Sequence, residues 1–202
     1  MRRLFQHFKM GLLLLFGMIL FSGCLPMIEQ AGFIEKNSVV SSLLAYKSFY
    51  FPPEDYGAGY AFELGGFQLR GGLTDRIELS GQADLERAYA GAKFLLYSGH
   101  NNIISAKLSV GTLILQEMLP SIVKPALFYG RKINNNFSIY GGTAFEYRNP
   151  TDCGGMLFFG GVVKPFSNML HCLKIECGFV RRITFSDYDF YYAGIGIDFQ
   201  IF

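Results

Sequence analysis

Tryptophan is absent from this 202-residue chain, only 17% of its residues are charged, and three histidines and four cysteines are its whole stock of imidazole and thiol. Each shortage excludes something. A net charge of +2 with no long basic run leaves no electrostatic footprint for a nucleic-acid partner. No cysteine stands at metal-ligand spacing, and His171 is adjacent to Cys172, so on a strand the two point apart. Neither a metal nor another cofactor is expected. Beyond the N-terminal segment no apolar run is long enough to cross a bilayer as a helix.

What the chain has in plenty is apolar and small: 50% hydrophobic residues, 21 phenylalanines, 12 tyrosines and 24 glycines, with a positive mean hydropathy. That is more apolar surface than the interior of one such domain accommodates. The excess is arranged with period two. Leu173, Ile175, Cys177, Phe179 and Ile183 alternate with Lys174, Glu176, Arg182 and Thr184, and similar segments recur from about Tyr60 to Phe202. Such strands have one greasy and one wet face.

The N-terminus is organised differently. Arg2, Arg3 and Lys9 precede an apolar stretch, Gly11 to Phe21, too short for a permanent span. The Phe21-Ser22-Gly23-Cys24 sequence resembles the bacterial lipobox. The resemblance implies a lipoprotein-type signal peptide over residues 1–23 and acylation of Cys24. Residues 24–39 then read as a periplasmic tether, and residues 40–202 as a single barrel domain.

Strands are expected at about Tyr60–Leu73, with a bulge at Gly65-Gly66 where the apolar phase switches, and at Arg76–Leu85, Arg87–Tyr97 and Ile104–Ile114. Further strands follow at Val123–Ile133, Phe137–Arg148, Met156–Lys164, Leu170–Thr184 and Tyr188–Phe202. Met156–Lys164 is apolar on both faces and has no phase of its own. Chain ends on one side of a membrane require an even count, so the weaker Val40–Phe51 becomes the first strand. The expected fold is all-β, a single antiparallel up-and-down transmembrane barrel of about 10 strands, with 8 as the alternative.

Period two leaves open which face is outside. One phase is Gly, Ser, Ala and Tyr with charges of both signs, which suits a crowded small-barrel interior better than a solvated exterior. Glu78, Asp84, Lys93, Lys107, Glu146, Lys174, Glu176, Arg182 and Asp198 are the expected lumen charges. Arg87, Lys124, Arg148 and Arg181 fall near the outer strand ends and are expected as a basic rim facing lipopolysaccharide phosphates. Cys153, Cys172 and Cys177 are expected to form no disulfide.

The C-terminal Gly-Ile-Gly-Ile-Asp-Phe-Gln-Ile-Phe resembles the closing-strand signal of bacterial outer-membrane β-barrel proteins, and Arg70-Gly-Gly-Leu-Thr-Asp-Arg-Ile-Glu-Leu79 resembles their periplasmic hairpins. That class implies outer-membrane localisation, contact with outer-membrane lipids and use of the barrel-assembly machinery. In architecture the chain is also similar to outer-membrane proteases and lipid A deacylases, which carry a catalytic histidine near the outer rim. Here His7 leaves with the signal, and His100 and His171 fall at turns of the opposite end, so no enzyme is expected. The function expected is a non-catalytic barrel for envelope structure or surface contact, with a narrow or occluded lumen. A porin-like small-solute channel is the first alternative. A soluble periplasmic lipoprotein barrel binding an apolar ligand is the second.

Overall fold

In the computed structural model the described residues are 32, 34–50, 59–63, 65–84, 87–113, 122–149, 152–164, 170–183 and 188–201. Cys24, the signal segment and Phe202 lie outside them. Eleven strands are present: β1 (Val39–Tyr50), β2 (Gly59–Glu63), β3 (Phe67–Thr74), β4 (Ile77–Ala83), β5 (Arg87–Ser98), β6 (Asn102–Leu113), β7 (Ile122–Lys132), β8 (Phe137–Asn149), β9 (Asp152–Val163), β10 (Leu170–Ile183) and β11 (Tyr188–Gln200). Each pairs antiparallel with its neighbour, and β11 pairs with β1 from Val40↔Gln200 to Tyr50↔Phe190, which closes the sheet.

β2 and β3 both pair with β1, on its second and first halves respectively, so they are two pieces of one barrel strand and the eleven segments make a ten-stranded barrel. The break falls at the glycine pair read from the sequence as a bulge. Gly65 has φ +38°, and a Cβ there would overlap the Leu44 carbonyl oxygen, so only glycine fits. Leu44 N–H donates to Gly66 O at 3.0 Å and keeps the broken strand attached.

The barrel has two unlike ends. Val39, Gln200 and the connections at 75–76, 99–101 and 133–136 share what we call the turn end; the strand ends Tyr50, Arg87, Leu113, Ile122, Asn149 and Tyr188 share the loop end. The turns close locally. Asn134 Oδ1 accepts the N–H groups of Asn136 and Phe137 at 2.9 and 2.8 Å, and Thr74 Oγ1 accepts that of Arg76 at 3.1 Å.

Burial alternates along every well-described strand, and its sense is the reverse of a soluble protein's. In β7, Val123, Leu127 and Tyr129 are exposed while Lys124, Ala126 and Phe128 are buried. In β10, Ile175 is 55% exposed and its neighbours Lys174 and Glu176 are at 0% and 1%. Leu69, Leu79, Phe94, Leu108, Phe145, Leu157 and Ile195 continue the exposed apolar band around the wall. A hydrocarbon-like exterior around a closed wall is the surface of a protein solvated by lipid. No helix among the described residues is long and apolar enough to cross a membrane, and none is needed where strands do so.

One wall differs from the sequence reading. Met156, Phe158 and Val162 of β9 point inward beside Phe128, Tyr140 and Tyr192, while Leu157, Phe159 and Val163 point out. β9 had no phase in the sequence because its lumen face is itself apolar. The interior is therefore divided, with charges concentrated on one side and an apolar filling on the other.

Candidate functional site: the charged interior

Inward side chains on five strands form one buried chain of ions. Lys174 Nζ lies 2.7 Å from Asp198 Oδ1, Asp198 Oδ2 lies 2.5 Å from Arg70 Nη2, Arg70 Nη1 lies 3.7 Å from Glu78 Oε1, and that oxygen lies 3.1 Å from Lys93 Nζ. Lys174, Asp198, Arg70 and Glu78 are at 0% exposure. Alternating signs are what allow such a row to be buried, since each ion desolvated without a partner costs several kcal/mol. β10, β11, β3, β4 and β5 are thereby tied together across β1, whose Ser42 is buried beside them.

Glu176 has a different environment. Tyr140 Oη donates to its Oε2 at 2.9 Å and Tyr192 Oη to its Oε1 at 2.7 Å. These rings reach across the lumen from seats built by register. Tyr192 is paired with Gly178, Tyr140 with Gly160, Phe158 with Gly142 and Tyr89 with Gly111. A Cβ on any of those glycines would meet the ring opposite. The abundance of glycine and tyrosine thus becomes four ring-on-glycine pairs that fill the bore.

Toward the loop end, Glu146 is bridged by Arg148 Nε at 2.7 Å and Lys124 Nζ at 3.6 Å, and Lys124 sits 5.9 Å from the centre of the Tyr89 ring. The sequence places Lys124, Arg87 and Arg148 on an outer rim; in the structure their side chains turn into the barrel, with Arg87 and Lys124 buried. The reason is phase: Arg87 shares the inward face of β5 with Tyr89 and Lys93, and Lys124 that of β7 with Phe128. Arg181 is exposed.

Among the expected lumen charges, Glu78, Lys93, Lys107, Lys174, Glu176 and Asp198 are buried, and Glu146 nearly so. Asp84 is half-buried at the loop end, where its Oδ1 accepts the Arg87 N–H at 2.6 Å. The Arg182 side chain lies outside the described residues. Sequence reasoning missed Arg70 and Gln68, both buried, because the phase switch at Gly65-Gly66 obscured which face of β3 is inside.

The end of the expected tether, Gly32 and Ile34–Ser38, is not free-standing. Ile34 is buried, its N–H donates to Glu78 Oε2 at 3.1 Å, and Lys93 Nζ donates to Gly32 O at 2.9 Å. Asn37 N–H donates to Gly72 O at 2.9 Å, and Gly72 N–H to Ser38 O at 3.1 Å. This short segment forms a crossbar over the turn-end mouth, fastened to the same Glu78 and Lys93 that end the ion chain.

Cys172 is buried with Sγ 3.1 Å from Asp198 Oδ2, whereas Cys177, on the opposite face of β10, is exposed. No group of metal-ligating side chains occurs among the described residues. His100 and His171 both lie at the turn end.

No protein-family model matches the sequence, and no curated relative matches it. The solved structures that resemble the chain include three at low identity. The translocator domain of the autotransporter NalP from Neisseria meningitidis shares 8% identity at a TM-score of 0.43, covering 96% of this chain and 95% of that one. A loop L8 deletion mutant of OmpT, an outer-membrane protein of Vibrio cholerae, shares 11% at 0.33, covering 79% and 62%. Ail, the attachment invasion locus protein of Yersinia pestis, shares 11% at 0.31, covering 82% and 100%. The assignment as a closed, lipid-facing β-barrel rests on the strand pairing and burial given above.

Proposed function

We propose that this protein is a non-catalytic outer-membrane β-barrel with an occluded lumen, serving envelope structure or surface contact. The observation that carries the reading is the interior ion chain, whose Lys174, Asp198, Arg70 and Glu78 have no solvent exposure. A conducting pore needs its charges wetted along a continuous path. Here they contact one another, four inward rings seated on glycines fill other parts of the bore, and the crossbar covers the turn end. Closed single-chain barrels with an apolar outer band and paired, tight turns on one side belong to outer membranes, which supports that location. Acylation of Cys24 would add a second attachment to the membrane.

Support for the non-catalytic part comes from the histidines. Both described ones stand at the turn end, away from the Arg87, Lys124, Glu146 and Arg148 cluster near the loop end.

Reconstitution of the purified chain in planar bilayers tests the proposal. The expected trace is silent at moderate voltage; stepwise conductance would overturn occlusion and favour the small-solute channel. Release from membranes on Cys24→Ala substitution would instead favour a lipid-anchored soluble barrel.

A further inference from the structure

A cavity of about 260 Å³ opens at the turn end, between the crossbar and β6 to β10. Its contents are unlike the rest of the interior. Lys132 at the end of β7 and Lys164 just after β9 border it, their backbone N–H groups fixed to Asn101 O and Asn136 O at 2.8 Å each. Both side chains are exposed, and neither has a carboxylate partner among the described residues. His171 joins them because the register of β10 shifts between Leu170 and Cys172, a bulge that re-aims a side chain at a strand end. Arg131, Lys132 and Lys164 face one lining carboxylate, Glu35 of the crossbar, so the formal balance is three minus one, or +2. The inner wall is mainly apolar: Ile103, Val162 and the ring of Tyr140, with the Ser138 hydroxyl-bearing side chain among them.

We propose that this cavity binds a small amphiphilic anion, a phosphate- or carboxylate-bearing molecule with a short apolar tail, entering from the turn end. The lysine ammonium groups and the His171 imidazole supply charge-assisted hydrogen bonds to the head, and the wall behind them removes the tail from water. The volume suits a small metabolite-sized molecule or the end of a longer one. The site goes beyond the occluded-barrel reading and does not depend on it, since it lies outside the ion chain and is reached without crossing the lumen.

Calorimetric titration of the full chain, folded in nonionic detergent, tests the assignment with butyl phosphate, butanoate, inorganic phosphate and butylammonium as probes. Saturable one-to-one binding of butyl phosphate or butanoate is expected, tighter than inorganic phosphate, with no binding of butylammonium. The tighter of the two organic anions identifies the headgroup. The Lys132→Gln/Lys164→Gln double variant should weaken binding by about tenfold or more, the scale of one lost charged hydrogen bond. Arg181→Gln, an exposed cation at the other end, should leave it unchanged. If the double variant does not fold, as judged by heat-modifiable gel migration, the two single variants give the same comparison. Equal binding of butylammonium, an affinity indifferent to both lysines, or no saturable binding by any anion would overturn the site.

Discussion

Replacing Asp198 by leucine should destabilise the barrel by about 3 to 5 kcal/mol, the cost of removing one partner from a buried ion pair. Asp198 holds two cations at 0% exposure, Lys174 at 2.7 Å and Arg70 at 2.5 Å, so the substitution strips both of this carboxylate at a site closed to bulk solvent. Arg70 loses its shortest contact, and its approach to Glu78 is longer, 3.7 Å to an oxygen that already serves Lys93 at 3.1 Å. Lys174 loses the one ion pair it makes among the described residues. The measurement is equilibrium urea unfolding in phospholipid vesicles, followed by tyrosine fluorescence and by heat-modifiable migration. A compensated triple variant, Asp198→Leu with Arg70→Met and Lys174→Met, should recover most of the loss, because it removes the stranded charges and leaves Glu78 and Lys93 paired. Should Asp198→Leu unfold at the native urea concentration, or the triple variant prove no better than the single one, the ion chain is not what holds this side of the barrel.

Ile175→Arg places a cation on the lipid face, beside inward Lys174 and Glu176, and should cost about 2 to 4 kcal/mol if the site is near mid-membrane. Urea midpoints in vesicles check it, and an effect near zero would mean that this face is not in hydrocarbon. Gly160→Ala should impair folding, since the new Cβ would meet both the Tyr140 ring and the backbone oxygen of Ile175; a loss of the heat-modifiable band on gels is the expected result, and a native-like band would show that the ring seat yields.

Much of the architecture was legible because a lipid-facing barrel writes its two faces into alternate residues. Lys174 and Glu176 beside Ile175, or Lys124 beside Val123, need no structure to be assigned opposite sides. Reasoning from alternation failed where both sides share a chemistry. β9 carries Phe158 inside and Phe159 outside, both opposite a glycine of β8, and only their burial in the closed barrel tells them apart. It also failed at strand ends. Alternation places Arg87 and Lys124 at the correct height, yet a side chain at that height turns inward or outward with its phase, and both share a face with buried neighbours. Arg70 was hidden by the broken strand, whose glycine at φ +38° resets the count. The crossbar left no periodic signal, since what fixes Ile34 and Gly32 is a carboxylate and an ammonium more than forty residues away in sequence.

The ion chain joins strands from both ends of the polypeptide, and this bears on how the protein can enter a bilayer. Before β11 meets β1, Asp198 is separated from Arg70, and a half-built sheet would present Arg70, Glu78, Lys93 and Lys174 as unenclosed charges along its concave side. Lipid would reject that side as firmly as it accepts the convex one. Such an intermediate has to keep its concave side wet or shielded until the last strand docks, so zipping the final seam and expelling water from the bore are a single event. Mutations along β11 should accordingly slow membrane entry itself, well before they affect the finished barrel.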